Sequence, residues 1–182
     1  MATTRTLTIE ELALLPDGEG RLELLAGVPI AKPLASVLHA ATLTNVAVHI
    51  GGHVRRNHLG AALTGGIGIV VAREPDTLLR PDFAFVRGSL RKLTDPNAHL
   101  LKGVPNLVVE VIDREDLYMD VESKVERYLA SGVTSVWLLD VSSSRATTCA
   151  PDRTRRGYSG DDLIVGDSVV SGLTIRVADL FA

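Results

Sequence analysis

Three ionisable residues keep company that costs free energy unless it serves a purpose. Asp82 follows Pro81 at the start of an apolar stretch, Glu110 interrupts the run Leu107-Val108-Val109-Glu110-Val111-Ile112, and Lys124 lies in the helical stretch that follows. A carboxylate inside a buried run is costly unless it is paired or metal-bound. Glu110 therefore needs a partner, and a cation shared with a second carboxylate is the most economical one. On an adjacent strand, Asp82 would bring the total to four carboxylate oxygens at one spot. A hard divalent cation such as Mg²⁺, for which Mn²⁺ can substitute, takes oxygen ligands and keeps several waters. Phosphodiester hydrolysis uses that arrangement, because the metal polarises the phosphoryl oxygen and lowers the pKa of an attacking water. A nearby lysine would hold the scissile phosphate, orient the water and offset developing negative charge.

Simpler roles exist for each residue. Asp82 could cap a turn after Pro81. Glu110 could pair with Arg80 or Arg127, and Lys124 with Asp120 one helical turn earlier. Glu23 could reach the site as an auxiliary metal or water ligand, or decorate a hairpin.

The flanking sequence narrows these choices. Pro81-Asp82, followed 28 residues later by Glu110, resembles the PD-(D/E)XK nuclease superfamily. Arg21-Leu-Glu23-Leu, Arg80-Pro-Asp82, Pro105-Asn-Leu-Val-Val-Glu110-Val, Lys124-x-x-x-Tyr128 and Gly132-Val-x-x-x-Trp137-Leu-Leu-Asp140 occur in that order. Together they resemble the bacterial Uma-two family of restriction-endonuclease-like proteins, from about residue 8 to the closing Ser171-Gly-Leu-Thr. The resemblance implies a restriction-endonuclease-like fold and Mg²⁺-dependent cleavage of DNA. It carries Asp82 and Glu110 over as metal ligands, with the backbone carbonyl of Val111 as a third. The superfamily's lysine belongs two residues after the glutamate, where this chain has Ile112; in the related family it has migrated to the following helix, which Lys124 matches. Ala26 stands where an acidic residue is usual, and Asp113-Arg114 where Ser-Pro is common.

Other polar features read as ordinary structure. His39, His49, His53 and His58 lack the companions of a zinc site and no His-Glu-x-x-His occurs, so surface or helix-packing roles are expected. Gly65-Gly66-x-Gly68 precedes a strand and no helix, so it fails the context of a nucleotide-binding loop. Trp137 and Tyr128 are expected in the core, with Tyr128 able to brace the site. Arg55-Arg56 and Arg153-Thr-Arg155-Arg156 could track phosphates or be solvated loop charges.

The elements that must position these residues follow from periodicity. Thr8-Ile-Glu-Glu11 is a capping box opening a short helix that Pro16 should stop. Residues 21–25, a turn at Ala26-Gly27 and 28–30 predict a hairpin. Leu43, Val46, Ile50 and Val54 predict a helix over 36–57, with Gly51-Gly52 as its weak point. Strands are expected at 61–63, 66–72, 83–86 and 107–112, then an amphipathic helix over 118–130 and a strand over 133–140. That order is a βαβ unit, so strands 107–112 and 133–140 should run parallel. The remainder has hairpin character: 145–149, a Gly/Asp-rich turn at 157–162, 163–165 and 173–177. The expected fold is α/β, a single domain over residues 1–182, with a restriction-endonuclease-like core of mixed β-sheet, flanking helices and a C-terminal hairpin.

Composition bounds the partners. The 182 residues carry a net charge of −3 and 4% aromatics. Binders that rely on bulk attraction or base stacking carry a basic surplus or aromatics, so a constitutive, tight nucleic-acid binder is not expected. A metal-dependent phosphodiesterase is compatible, because its acidic site is neutralised when the cation arrives. No apolar run reaches the ~20 residues of a spanning helix, no secretory signal is read at the start, and Cys149 alone makes no disulfide. A soluble cytoplasmic protein with no membrane role is the default expectation. DNA is the expected substrate, and a homodimer is expected where two sites cut two strands. The competing reading is a catalytically inactive nuclease-like module that acts in binding or assembly.

Overall fold

A computed structural model describes residues 6–15, 22–32, 34–89, 100–114, 116, 118–166 and 169–182, the side chains of 118 and 119 excepted. Pro16 and Arg21, expected to stop the first helix and open the hairpin, lie outside the described residues. The capping box forms as expected: Thr8 caps α1 (Ile9–Leu12), with Glu11 returning to its backbone N–H. The hairpin is β1 (Leu22–Leu25) and β2 (Val28–Ala31), in antiparallel register. Its two-residue turn, Ala26-Gly27, has φ of 50° and 80°, the twist that matches paired strands.

The helix expected over 36–57 is three segments: α2 (Val37–Val46), a π-turn (Ala47–Gly51) and α3 (Gly52–Arg56). Val46, Ile50 and Val54 follow one another at i+4 and are all buried. Such steps drift about 40° each in a 3.6-residue helix. The wider π-turn absorbs that drift and keeps the three on one face. The weak point read at Gly51-Gly52 is where the π-turn closes.

Strands β3 (Gly60–Thr64), β4 (Gly68–Ala72), β5 (Thr77–Leu79), β6 (Phe83–Arg87), β7 (Leu100–Leu101) and β8 (Leu107–Ile112) follow. Then come α4 (Tyr118–Ala130), β9 (Ser135–Asp140), β10 (Arg145–Cys149), β11 (Arg155–Ser159), β12 (Leu163–Val165), β13 (Thr174–Arg176) and α5 (Ala178–Phe181). The α/β class holds, but the strands divide between sheets. One sheet has the order β11-β10-β9-β8-β6-β3 and another β2-β1-β5-β4-β7, while β12 and β13 form a separate ribbon. The parallel β8–β9 pair of the βαβ unit is present, with Glu110 opposite Leu138. β5 and β7 escape sequence reading because three and two residues show no period. The turn expected at 157–162 is narrower: Arg155–Ser159 is a strand paired with β10, so Gly157 and Tyr158 extend the six-stranded sheet.

Both faces of that sheet are covered, which is why β8 is apolar nearly throughout. On one face Val46, Ile50, Val54 and Leu180 pack on Phe83, Phe85, Leu107, Val109 and Val111. On the other, Val125 and Tyr128 of α4, with Ile69 and Leu79 of the five-stranded sheet, pack on Val86, Val108 and Val136. Glu110 and Ile112 share the second face by alternation. The site opens where α4, the hairpin and the α2 N-terminus meet the end of β8.

Candidate functional site

Register brings the two carboxylates together. Phe83 pairs with Val109 across β6 and β8, so one further step sets Asp82 opposite Glu110 on the same face. Both line a cavity of about 480 Å³ with Glu23, Lys124, Val111 and Ile112. The backbone of Val111 bears on the same place. Ile112 uses its carbonyl toward β9, where it accepts from the Val141 N–H. Strand alternation therefore aims the carbonyl and N–H of Val111 the other way, toward Asp82. The Val111 N–H does donate to Asp82 Oδ2 at 2.9 Å.

The two carboxylates have different surroundings. Burial alone would push Asp82 up, but His39, the Lys32 ammonium and the Val111 N–H hold it well below the usual carboxylate range. Lys32 Nζ lies 2.8 Å from Asp82 Oδ1, and His39 Nε2 lies 3.5 Å from the same oxygen. Glu110 is pushed up to about 7 by burial and by Asp82, against the opposing pull of Lys124. Its Oε1 accepts a 2.7 Å hydrogen bond from the Tyr128 hydroxyl. The simpler alternative, Glu110 paired with Arg80 or Arg127, is not what forms; the Tyr128 bond takes its place. Arg80 donates instead to the carbonyls of Leu22 and Gly66, and Arg127 to Ser123. Tyr128 thus braces the site as well as filling the core.

Lys124 crosses Glu110's face from α4, the helix that covers it. Its Nζ sits 2.6 Å from Glu23 Oε2, so Glu23, not Asp120, is its partner. Glu23 belongs inside the site and is 2% exposed. Its Oε1 accepts the Arg80 N–H, which ties the hairpin to the strand of Asp82. Glu23 and Glu110 raise the Lys124 pKa over the opposing effect of burial. Ile112 lines the cavity as an apolar residue, and Lys124 of α4 supplies an ammonium to the same cavity.

Two residues of the site carried no legible signal. Lys32 lies 50 positions from Asp82, and only the hairpin's placement brings it near. His39, expected at the surface or in helix packing, stands between Asp82 and Asp113, with Nδ1 3.4 Å from Asp113 Oδ2. Contact with Asp82 raises its pKa despite burial, and an imidazolium donates from both nitrogens. Asp113 also accepts from the backbone and hydroxyl of Ser36, the α2 N-cap, which fixes the helix end against β8. Of the other histidines, His53 packs as expected, meeting the Ser171 carbonyl at 3.0 Å, and His58 is exposed. Among the described residues no group of three His, Cys, Asp or Glu side chains is arranged to hold an ion. The candidate donor set is accordingly two carboxylates and one carbonyl, all hard oxygens.

A sequence profile described as "Putative restriction endonuclease", that of Uma2, matches residues 9–178. The chain belongs to the Uma2 family. That membership supports a nuclease-like role. The Uma2 chain is also similar in structure to a solved protein described as "a putative nuclease belonging to DUF820 from Anabaena variabilis ATCC 29413". The TM-score is 0.83 at 20% identity, over 96% of this chain and 97% of that one. At that identity the likeness is one of fold. No curated protein matches this Uma2 chain. No helix among the described residues is long and apolar enough to cross a membrane.

Proposed function

We propose that this cavity hydrolyses DNA phosphodiester bonds with a divalent cation, Mg²⁺ or Mn²⁺, held by Asp82, Glu110 and the Val111 carbonyl. The observation that carries this reading is the convergence of Asp82, Glu110, Val111 and Lys124 on one cavity. The donor set fits the ion: oxygens only, few in number, with room for water. Glu110 fits as well, because a carboxyl pushed up to about 7 by burial and by Asp82 gives up its proton when a cation arrives. When bound, the cation would polarise the scissile phosphoryl group and acidify a water.

The chain's own residues do the rest. The Val111 N–H holds Asp82 in one orientation through Oδ2, and in the metal-free chain Lys32 and His39 keep it ionised. Tyr128 fixes Glu110, which lines the cavity, through a bond to Oε1 and leaves Oε2 without this bond. Lys124, held by Glu23, faces the phosphate and offsets the charge that builds on it. Incubation of the chain with plasmid and Mg²⁺ or Mn²⁺ should yield nicked or linear DNA, and Asp82→Ala should abolish it. Cleavage that survives Asp82→Ala removes the proposal. A second reading, a nuclease-like module that binds without cutting, is favoured by one observation: Lys124 is already engaged by Glu23. Plasmid left intact by a protein that still binds Mn²⁺ would select it.

A further inference from the structure

We propose that Lys32 is the resident counter-cation of this cavity: its ammonium occupies Asp82 Oδ1 and vacates it when a divalent cation binds. The inference rests on Asp82 and Glu110 being the cation's ligands. Asp82 offers two oxygens of unequal availability. Oδ2 is fixed by the Val111 N–H at 2.9 Å, a bond from a strand buried on both faces. Oδ1 meets Lys32 Nζ at 2.8 Å, with His39 Nε2 farther off at 3.5 Å. A ligand that needs Asp82 therefore meets Lys32 first.

The two lysines of the cavity are held differently. Lys124 is bound at 2.6 Å to a glutamate whose other oxygen accepts a backbone N–H, so its partner is locked on both sides. Lys32 donates to Asp82 and to the Arg80 carbonyl at 2.9 Å. It follows the edge strand β2 on four rotatable carbons, whereas Lys124 rises from a helix packed on the sheet. Replacing one ammonium by a divalent ion raises the positive charge beside Glu110 and Asp82. An ammonium and a divalent ion at one carboxylate repel strongly, so Lys32 must leave.

The test is calorimetric titration of the 182-residue chain with Mn²⁺, comparing the native protein with Lys32→Gln, Lys32→Met and Arg114→Gln. Gln keeps a donor for Asp82 and the Arg80 carbonyl, so it preserves packing. Both Lys32 variants should bind Mn²⁺ about tenfold or more tightly than the native chain. Their melting temperatures should also rise more on adding Mn²⁺. If one variant fails to fold, the other decides. Arg114→Gln removes the same charge from the exposed rim of the cavity and should change affinity far less. Unchanged or weaker Mn²⁺ binding in the folded Lys32 variants overturns the inference and leaves the metal site standing. An equal gain in Arg114→Gln also overturns it, in favour of bulk attraction. Absence of Mn²⁺ binding in every protein overturns the metal site and the inference together.

Discussion

Lys124 and Glu110 set the terms at the residue scale, since each is a buried or half-buried charge with one defined partner. Lys124→Gln retains a donor for Glu23 but loses the ammonium. Cleavage should fall by about a hundredfold or more, while the melting temperature stays within a few degrees; a plasmid assay beside a thermal melt reads both. Glu110→Gln keeps an acceptor for Tyr128 and cannot ionise. Because the folded protein holds Glu110 near 7, above its ordinary 4.5, ionisation opposes folding as pH rises through that window. Glu110→Gln should therefore be more stable than the native chain at pH 8 in urea unfolding without metal, and should lose Mn²⁺ binding. Stability gained by deleting a carboxylate is a mark of a group kept for function. The signal for Glu110 and Asp82 was legible in sequence because burial makes a charge conspicuous among apolar neighbours. Lys32 and His39 were illegible for the opposite reason: their sequence neighbours are polar or mixed, and their partners lie far along the chain.

At the scale of elements, the hairpin and α4 do most of the positioning. The hairpin turn carries Ala26 at φ 50°, a conformation that costs an L-residue with Cβ roughly 1–2 kcal/mol. Asn is far better tolerated there and Asn-Gly is the preferred pair for such a turn. Ala26→Asn should raise the urea midpoint, by about 0.5–1 kcal/mol of stability, without changing Mn²⁺ affinity. A lowered midpoint would show that the Ala26 N–H bond to Thr77 Oγ1 does not survive the change. The longer elements were readable: β8 and β9 are apolar runs typical of buried strands, α4 has a helical period, and their order dictated parallel pairing. The short strands β5 and β7 were not, since their pairing is decided by neighbours in the five-stranded sheet. The π-turn was foreshadowed only as a weak point, because its cause is the need to keep Val46, Ile50 and Val54 on the sheet.

For the whole molecule, the linked titrations predict a dependence on pH and metal. Asp82 sits below its ordinary value, so its contribution is present above pH 3.8 and is lost as pH falls through the lower folded value. Glu110 and His39 are both raised. Glu110 loses stability between about pH 4.5 and 7. His39 contributes fully below 6.5 and loses that contribution as pH rises through its folded value. The metal-free chain should therefore melt at a higher temperature at pH 5 than at pH 8. Adding Mg²⁺ should narrow or reverse that order, since the ion binds the ionised carboxylates. Differential scanning calorimetry across pH, with and without Mg²⁺, checks it.

By itself the sequence determined the α/β class, the βαβ unit and the family, and it marked Asp82 and Glu110 as candidate site residues. Those depend on local period, on burial and on motifs that read along the chain. Tertiary structure decided which partners the charges take: Tyr128 for Glu110, Glu23 for Lys124, and Lys32 with His39 for Asp82. It also decided that the strands form two main sheets. Partner choice depends on which side chains meet across elements tens of residues apart. That is fixed by register and packing, which no local pattern records.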